Sequence, residues 1–139
     1  MAIGEIGKVL RHIQVAFEVG TAAGLTDREL VERFAARGHP GGEVAFAALV
    51  LRHGPMVSRV CGGVLRNHQD AQDAFQATFL ILARKAGSVW VRDSVGPWLY
   101  GVACRVANCS KASAERRRRH ERRAEIGRAS CRERVCYAV

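Results

Sequence analysis

At 139 residues, with 48% apolar and 25% charged residues, the chain has the length and composition of one small domain with a modest core, and nothing in it requires two. Its 22 Lys and Arg against 13 Asp and Glu leave a net charge of +9, which points to a polyanionic partner, either nucleic acid or an acidic membrane surface. No run approaches the roughly 18 to 20 apolar residues of a membrane span, and the start, MAIGEIGKVLRHIQVAF, lacks the apolar core and cleavage site of a secretory signal, so the expected location is the cytoplasm.

Helical periodicity runs through the whole chain. Residues 1–24 read as an N-terminal extension, with Ile6, Leu10 and Ile13 at helical spacing and then a Gly- and Ala-rich linker, GTAAG. Thr26 with Glu29 three places on forms a capping-box pattern, and Leu30, Val31 and Phe34 give the first well-marked helix, ending near Gly38 to Pro40. From Glu43 to Leu65 one apolar face is drawn by Phe46, Leu49, Val50, Val57, Val60, Cys61 and Val64. Pro55 lies inside it and predicts a kink, or two helices meeting there, because proline removes a backbone hydrogen bond and crowds the preceding turn.

Asn67 is the expected cap of the next helix. Asp70 and Asp73 suit its positive N-terminal end, and Ala71, Phe75, Phe79, Leu82 and Ala86 form its core face. A loop from Gly87 to Asp93 follows, then a helix with Ser94 as its expected cap, Pro97 in its first turn and a stripe of Leu99, Val102, Ala103 and Val106. The string ERRRRHERR, Glu115 to Arg123, sets six arginines against two glutamates and reads as a solvated or nucleic-acid-facing linker, disordered by default. No hairpin signal and no repeat occur, so the expectation is an all-α compact bundle of about four helices with an N-terminal extension and a basic C-terminal tail.

Residues 125–139 stand apart. Glu125 to Val135, EIGRASCRERV, is similar to the in-frame translation of a common short-read sequencing adapter, so this tail is expected to derive from an adapter and the reading frame to be truncated. Of five cysteines, Cys131 and Cys136 fall within it. Cys104 with Cys109 lacks the spacing of a zinc knuckle, so neither metal nor disulfide framework is expected. His12, His39, His53, His68 and His120 are dispersed, and HExxH, Walker and nucleophile-elbow motifs are missing, which leaves no catalytic constellation and no implied cofactor.

Three strings carry a resemblance: RHGPMV, then DAQDAFQATFLILARKAG from Asp70 to Gly87, then WLYGVACRVA from Trp98 to Ala107. Together they resemble region 2 of an extracytoplasmic-function sigma factor of the sigma-70 family, in the flavour abundant in planctomycete-like bacteria. The likeness runs from Leu25 to about Arg123, with the bundle at 25–112 and a basic linker at 113–124.

That resemblance implies a non-enzymatic transcription-initiation protein of sigma-70 region 2 fold. It implies that the Asp73 to Gln76 helix docks on the clamp helices of the largest subunit of core RNA polymerase, through Asp70, Asp73, Gln76, Ala77 and Leu80. It implies promoter opening at the minus-ten element through Lys85, Ser88, Trp90, Arg92 and Ser94 in the loop, then Trp98 and Tyr100, with unpaired bases stacking on aromatic rings. Arg105, Asn108 and Lys111 follow on the next helix as steering or phosphate contacts. For Trp98, a core anchor is the equal alternative.

The family also implies a second domain, region 4, for the minus-thirty-five element, and none is expected in this chain. An anti-sigma factor is a further implied partner. A helical interaction module without DNA recognition is the alternative reading, in which Trp90 and Arg92 would be dispensable. A membrane-binding role is disfavoured because the arginine run has no apolar face.

Overall fold

The computed structural model describes residues 2–130 as five α-helices, with no strand among them. They are α1 (Ala2–Ala22), α2 (Asp27–Ala35), α3 (Gly42–Val64), α4 (His68–Lys85) and α5 (Gly96–Ser130). Helix α3 is the hub, packing against α1, α2, α4 and α5, while α4 and α5 also pack on each other.

Local chemistry sets several helix ends as anticipated. Thr26 accepts from the Glu29 amide while the Glu29 carboxylate accepts from the Thr26 amide at 2.8 Å, a complete capping box for α2. The Asn67 side chain accepts from the amides of Gln69 (2.9 Å) and Asp70 (3.3 Å) and so starts α4. Gly38, at φ +79°, takes the left-handed turn between α2 and α3, where a side chain would be strained.

The core is built from Leu30, Leu49, Val57, Cys61, Leu82, Leu99, Ala103 and Ala107, with Val91 and Val95 from the loop before α5. A chain of rings, Phe34 to Phe46 (4.8 Å), Phe46 to Phe79 (6.4 Å) and Phe79 to Phe75 (5.0 Å), stitches α2, α3 and α4 together. Thr78, fully buried, satisfies its hydroxyl on the Ala74 carbonyl at 2.8 Å.

Four expectations change. The expected GTAAG linker is partly helix, since α1 runs to Ala22 and buries Val19 and Ala22 in the core; that burial offsets the weak propensity of Gly20. Of the two outcomes expected at Pro55, two separate helices do not form: α3 runs as one helix across Pro55, whose side is exposed, while Gly54 is buried with Phe75 against it and Ala48, Leu49, Val57 and Cys61 hold both halves in the core. The basic segment is not an unstructured linker: α5 continues through 113–124 as helix. Finally, α3 is apolar and long enough to cross a membrane by length and composition, unlike what the run count suggested. Its place at the centre of the bundle accounts for that composition. Cys131, Cys136 and the rest of 131–139 lie outside the described residues.

Candidate functional site

On α4, steps of about 100° per residue put Gln69, Asp73, Gln76 and Leu80 within one narrow stripe, opposite the face of Ala74, Thr78 and Leu82 that enters the core. All four stripe residues are exposed, and Leu80 is 61% exposed. Asp73 accepts from the Gln69 side chain at 3.2 Å, which steadies the stripe at its N-terminal end. Asp70 and Ala77 lie to one side and are half-buried. Of the five residues expected to dock a partner helix, Asp73, Gln76 and Leu80 form the surface, and Asp70 and Ala77 form its shoulder.

The loop after α4 presents the second group. Val91 and Val95 are buried and anchor the chain, and Trp90, between half-buried Val89 and buried Val91, turns outward with its ring 82% exposed. The Arg92 guanidinium sits 5.8 Å from the ring centroid, a cation beside an aromatic face. Arg28, Val31 and Glu32 of α2 line a small crevice with Val89, Trp90 and Val91, and Arg28 pairs with Glu32 at 2.9 Å. Lys85 and Ser88 are exposed at the start of the loop. Tyr100 is exposed, whereas Trp98 is half-buried against the core, so its main contacts are internal.

The remaining basic residues fall elsewhere. Helices α4 and α5 are joined by a short loop and pack antiparallel, so positions further along α5 lie nearer the start of α4. Arg105 lines a crevice with Asp70 and Asp73, and Lys111 lines another with Asp70 and Arg118. Lys111 stands about 22 Å along the helix from the start of α5. Arg105 and Lys111 therefore border the acidic shoulder instead of clustering with Trp90, while Asn108 is exposed on the outer side of α5.

Sequence reasoning missed one cluster. Asp27, in the first turn of α2 and 4% exposed, accepts from Arg52 Nη1 at 2.6 Å through Oδ1. Through Oδ2 it is bonded to His53 Nε2 at 2.8 Å, the Ser94 hydroxyl at 3.0 Å and the Val95 amide at 2.9 Å. Burial pushes its carboxyl upward, but the Val95 amide, the Arg52 guanidinium and His53 outweigh that and hold it below its ordinary 3.8. Ser94 also accepts from the Gly96 amide at 3.0 Å, so its hydroxyl is spent on ordering the start of α5. Asp27 gave no sequence signal beyond a first-turn acid inside TDRE.

Among the described residues, no three His, Cys, Asp or Glu side chains gather as a metal site. Cys61 is buried, and burial raises its thiol, with Cys104 adding to the shift and Thr78 opposing it, which suits a core residue more than a nucleophile.

Comparison with known proteins gives two findings. The sigma-70 region 2 family matches residues 49–117, from the middle of α3 through α4 and the loop into α5. The RNA polymerase sigma factor CarQ of Myxococcus xanthus is 34% identical over 90 residues, which cover 65% of this chain and 47% of that protein. The chain thus spans about half the length of that relative. No solved structure matches the chain.

Proposed function

From the premise that the chain belongs to the sigma-70 family, through a region 2 of the extracytoplasmic-function type, we propose that it docks on core RNA polymerase by the exposed stripe of α4 and engages the opened minus-ten element by the loop between α4 and α5. The docking partner is the pair of clamp helices of the largest subunit. Asp73, Gln76 and Leu80 make the contact, with Asp70 and Ala77 at its edge. Polar groups around one exposed leucine suit a helix laid alongside, since the leucine supplies apolar area and the amide and carboxylate fix register.

On the DNA side, Trp90 offers a π-face to an unpaired base, with Arg92, Lys85 and Ser88 placed for the flanking phosphates. Tyr100, exposed near the start of α5, offers a further ring, and Asn108 faces outward for a phosphate contact, while Arg105 and Lys111 stand beside Asp70 at the edge of the docking stripe and act on DNA only as steering charges. Trp98 packs against the core and serves the fold, and Ser94 acts by ordering the helix start. No group here performs covalent chemistry: the protein works by binding polymerase and by favouring the strand-separated state, in the cytoplasm where transcription takes place.

The single observation that carries this reading is Trp90, an aromatic held in solvent between half-buried Val89 and buried Val91. Keeping such a ring exposed forgoes about 2–3 kcal/mol of burial that folding alone would favour, which suits a surface that awaits a partner.

The test is capture of core RNA polymerase by the full chain and by the Asp73→Arg, Gln76→Ala double variant. Both positions are exposed, so the variant is expected to keep its helical content and melting temperature while losing polymerase. Retained binding would remove α4 from the interface. Absence of polymerase binding by the folded chain, with Trp90 and Arg92 both dispensable for what it does bind, would favour a protein-interaction module without DNA recognition instead.

A further inference from the structure

The cluster around Asp27 joins segments that the proposed function treats separately. One carboxylate gathers α2, the middle of α3 and the end of the loop that carries Trp90, across 68 residues of sequence in the case of Val95. Both of its oxygens are engaged: Oδ1 by Arg52, and Oδ2 by His53, Ser94 and Val95. Arg52 is itself fixed by the carbonyls of Ala23 (3.2 Å) and Leu25 (2.8 Å). The turn before α2 therefore stays bonded to α3 through Arg52 without Asp27, whereas the polar anchorage of Ser94 and Val95 to the bundle runs through Asp27.

We propose that Asp27 is a positioning residue for DNA engagement, fixing the α5 end of the 87–95 loop so that Trp90 and Arg92 are presented in one arrangement. The proposal rests on the reading of that loop as the nucleic-acid surface. Val91 seats the loop by apolar contact, which resists withdrawal but leaves sliding and twisting soft; the bonds at Ser94 and Val95 add the directional restraint. A loop ordered before binding spends less of its contact energy on being ordered. Asp27 thus acts on a base it never touches.

The experiment compares the full chain with Asp27→Asn and Ser94→Ala. Ser94→Ala removes one exposed hydroxyl and keeps the question open to refutation should Asp27→Asn fold poorly. Amide hydrogen exchange is read at Val95 and at Val57 and Cys61 in the core. Order of the Trp90 indole is read by nitrogen relaxation. Affinity is measured for a labelled single-stranded oligonucleotide pool of random sequence and for core polymerase.

The expected result is that protection at Val95 falls about tenfold in Asp27→Asn while the core amides hold. The Trp90 indole gains nanosecond motion, oligonucleotide affinity drops about five- to tenfold, and polymerase affinity stays the same. Combining the two substitutions adds little to Asp27→Asn alone, because both cut the same link. Equal loss of protection throughout the core, with polymerase binding lost in step, would reduce Asp27 to a stability residue and overturn the proposal. A loosened loop with unchanged oligonucleotide affinity would overturn it as well. If the unsubstituted chain binds no oligonucleotide while its Val95 amide is protected and Trp90 ordered, the assignment of the loop to DNA is what fails, and the positioning role falls with it.

Discussion

Replacing Trp90 with alanine separates a ring held for a partner from a ring held for the fold. Trp90 is 82% exposed, so of a side chain that can bury up to about 250 Å², on the order of 45 Å² is covered. At about 25 cal/mol per Å², its removal costs about 1 kcal/mol of stability. Loss of an exposed cation–π contact with Arg92 adds about 0.5 kcal/mol. The same change at half-buried Trp98 removes core packing and costs about 3 kcal/mol or more. In DNA binding the order inverts. A stacked base is worth about 1–3 kcal/mol, so Trp90→Ala weakens single-strand affinity by about 5- to 150-fold. Urea denaturation followed by circular dichroism gives the stability arm, and fluorescence anisotropy of a labelled single-stranded oligonucleotide pool gives the binding arm. The reasoning is refuted if Trp90→Ala destabilises as much as Trp98→Ala, or if it leaves oligonucleotide affinity where it was.

Two further outcomes follow from the core and its buried carboxylate. Asp27 is held below its ordinary 3.8 in the folded chain, so its contribution is complete above the unfolded-state value and is lost as pH falls through the lower folded-state value. The melting temperature is expected to fall below about pH 4, and Asp27→Asn to flatten that part of the profile; parallel profiles for the two proteins would show that Asp27 is not responsible. Leu49→Ala, at a site with no exposed surface in the hub helix, is expected to cost about 2–5 kcal/mol in chemical denaturation, and a loss below about 1 kcal/mol would mean that the α3 core is not packed as described.

The helices that were legible in the sequence are those whose signals are local. The Thr26 to Glu29 box and the Asn67 cap depend on residues within one or two turns and lie where their patterns put them; of the expected apolar faces of α3 and α4, Leu49, Val57, Cys61, Phe79, Leu82 and Ala86 are buried, while Ala48, Ala74 and Thr78 join them from outside the pattern and Ala71 and Phe75 are only half-buried. What escaped depends on partners far along the chain. Gly20 and Pro55 look like breaks because their propensities are poor, yet Val19, Ala22, Val57 and Cys61 gain enough from burial to carry helix across them. Of the candidate site, the exposed stripe was legible from the 3.6-residue period, and Trp90 from its neighbours. Asp27 was not, because an acid at the first turn of a helix is common and only the meeting of α3 with the loop reveals four donors around it. The placement of Arg105 and Lys111 near Asp70 likewise required the antiparallel pairing of α4 and α5.

Because α5 carries its arginines on continuous helix, their directions are determined by winding. Arg116, Arg117, Arg118 and Arg119 succeed one another at about 100° and so go once round the axis within four residues. Arg117 and Arg118 overlook the crevices that hold Asp73 and Asp70, while Arg116 and Arg119 point to the far side. The positive charge of this stretch is therefore uneven around the axis: Asp70, Asp73 and Glu115 offset Arg117 and Arg118 on the side of α4, while Arg116 and Arg119 leave the far side the more positive one. A polyanion approaching α5 is drawn to that outer side by charge alone.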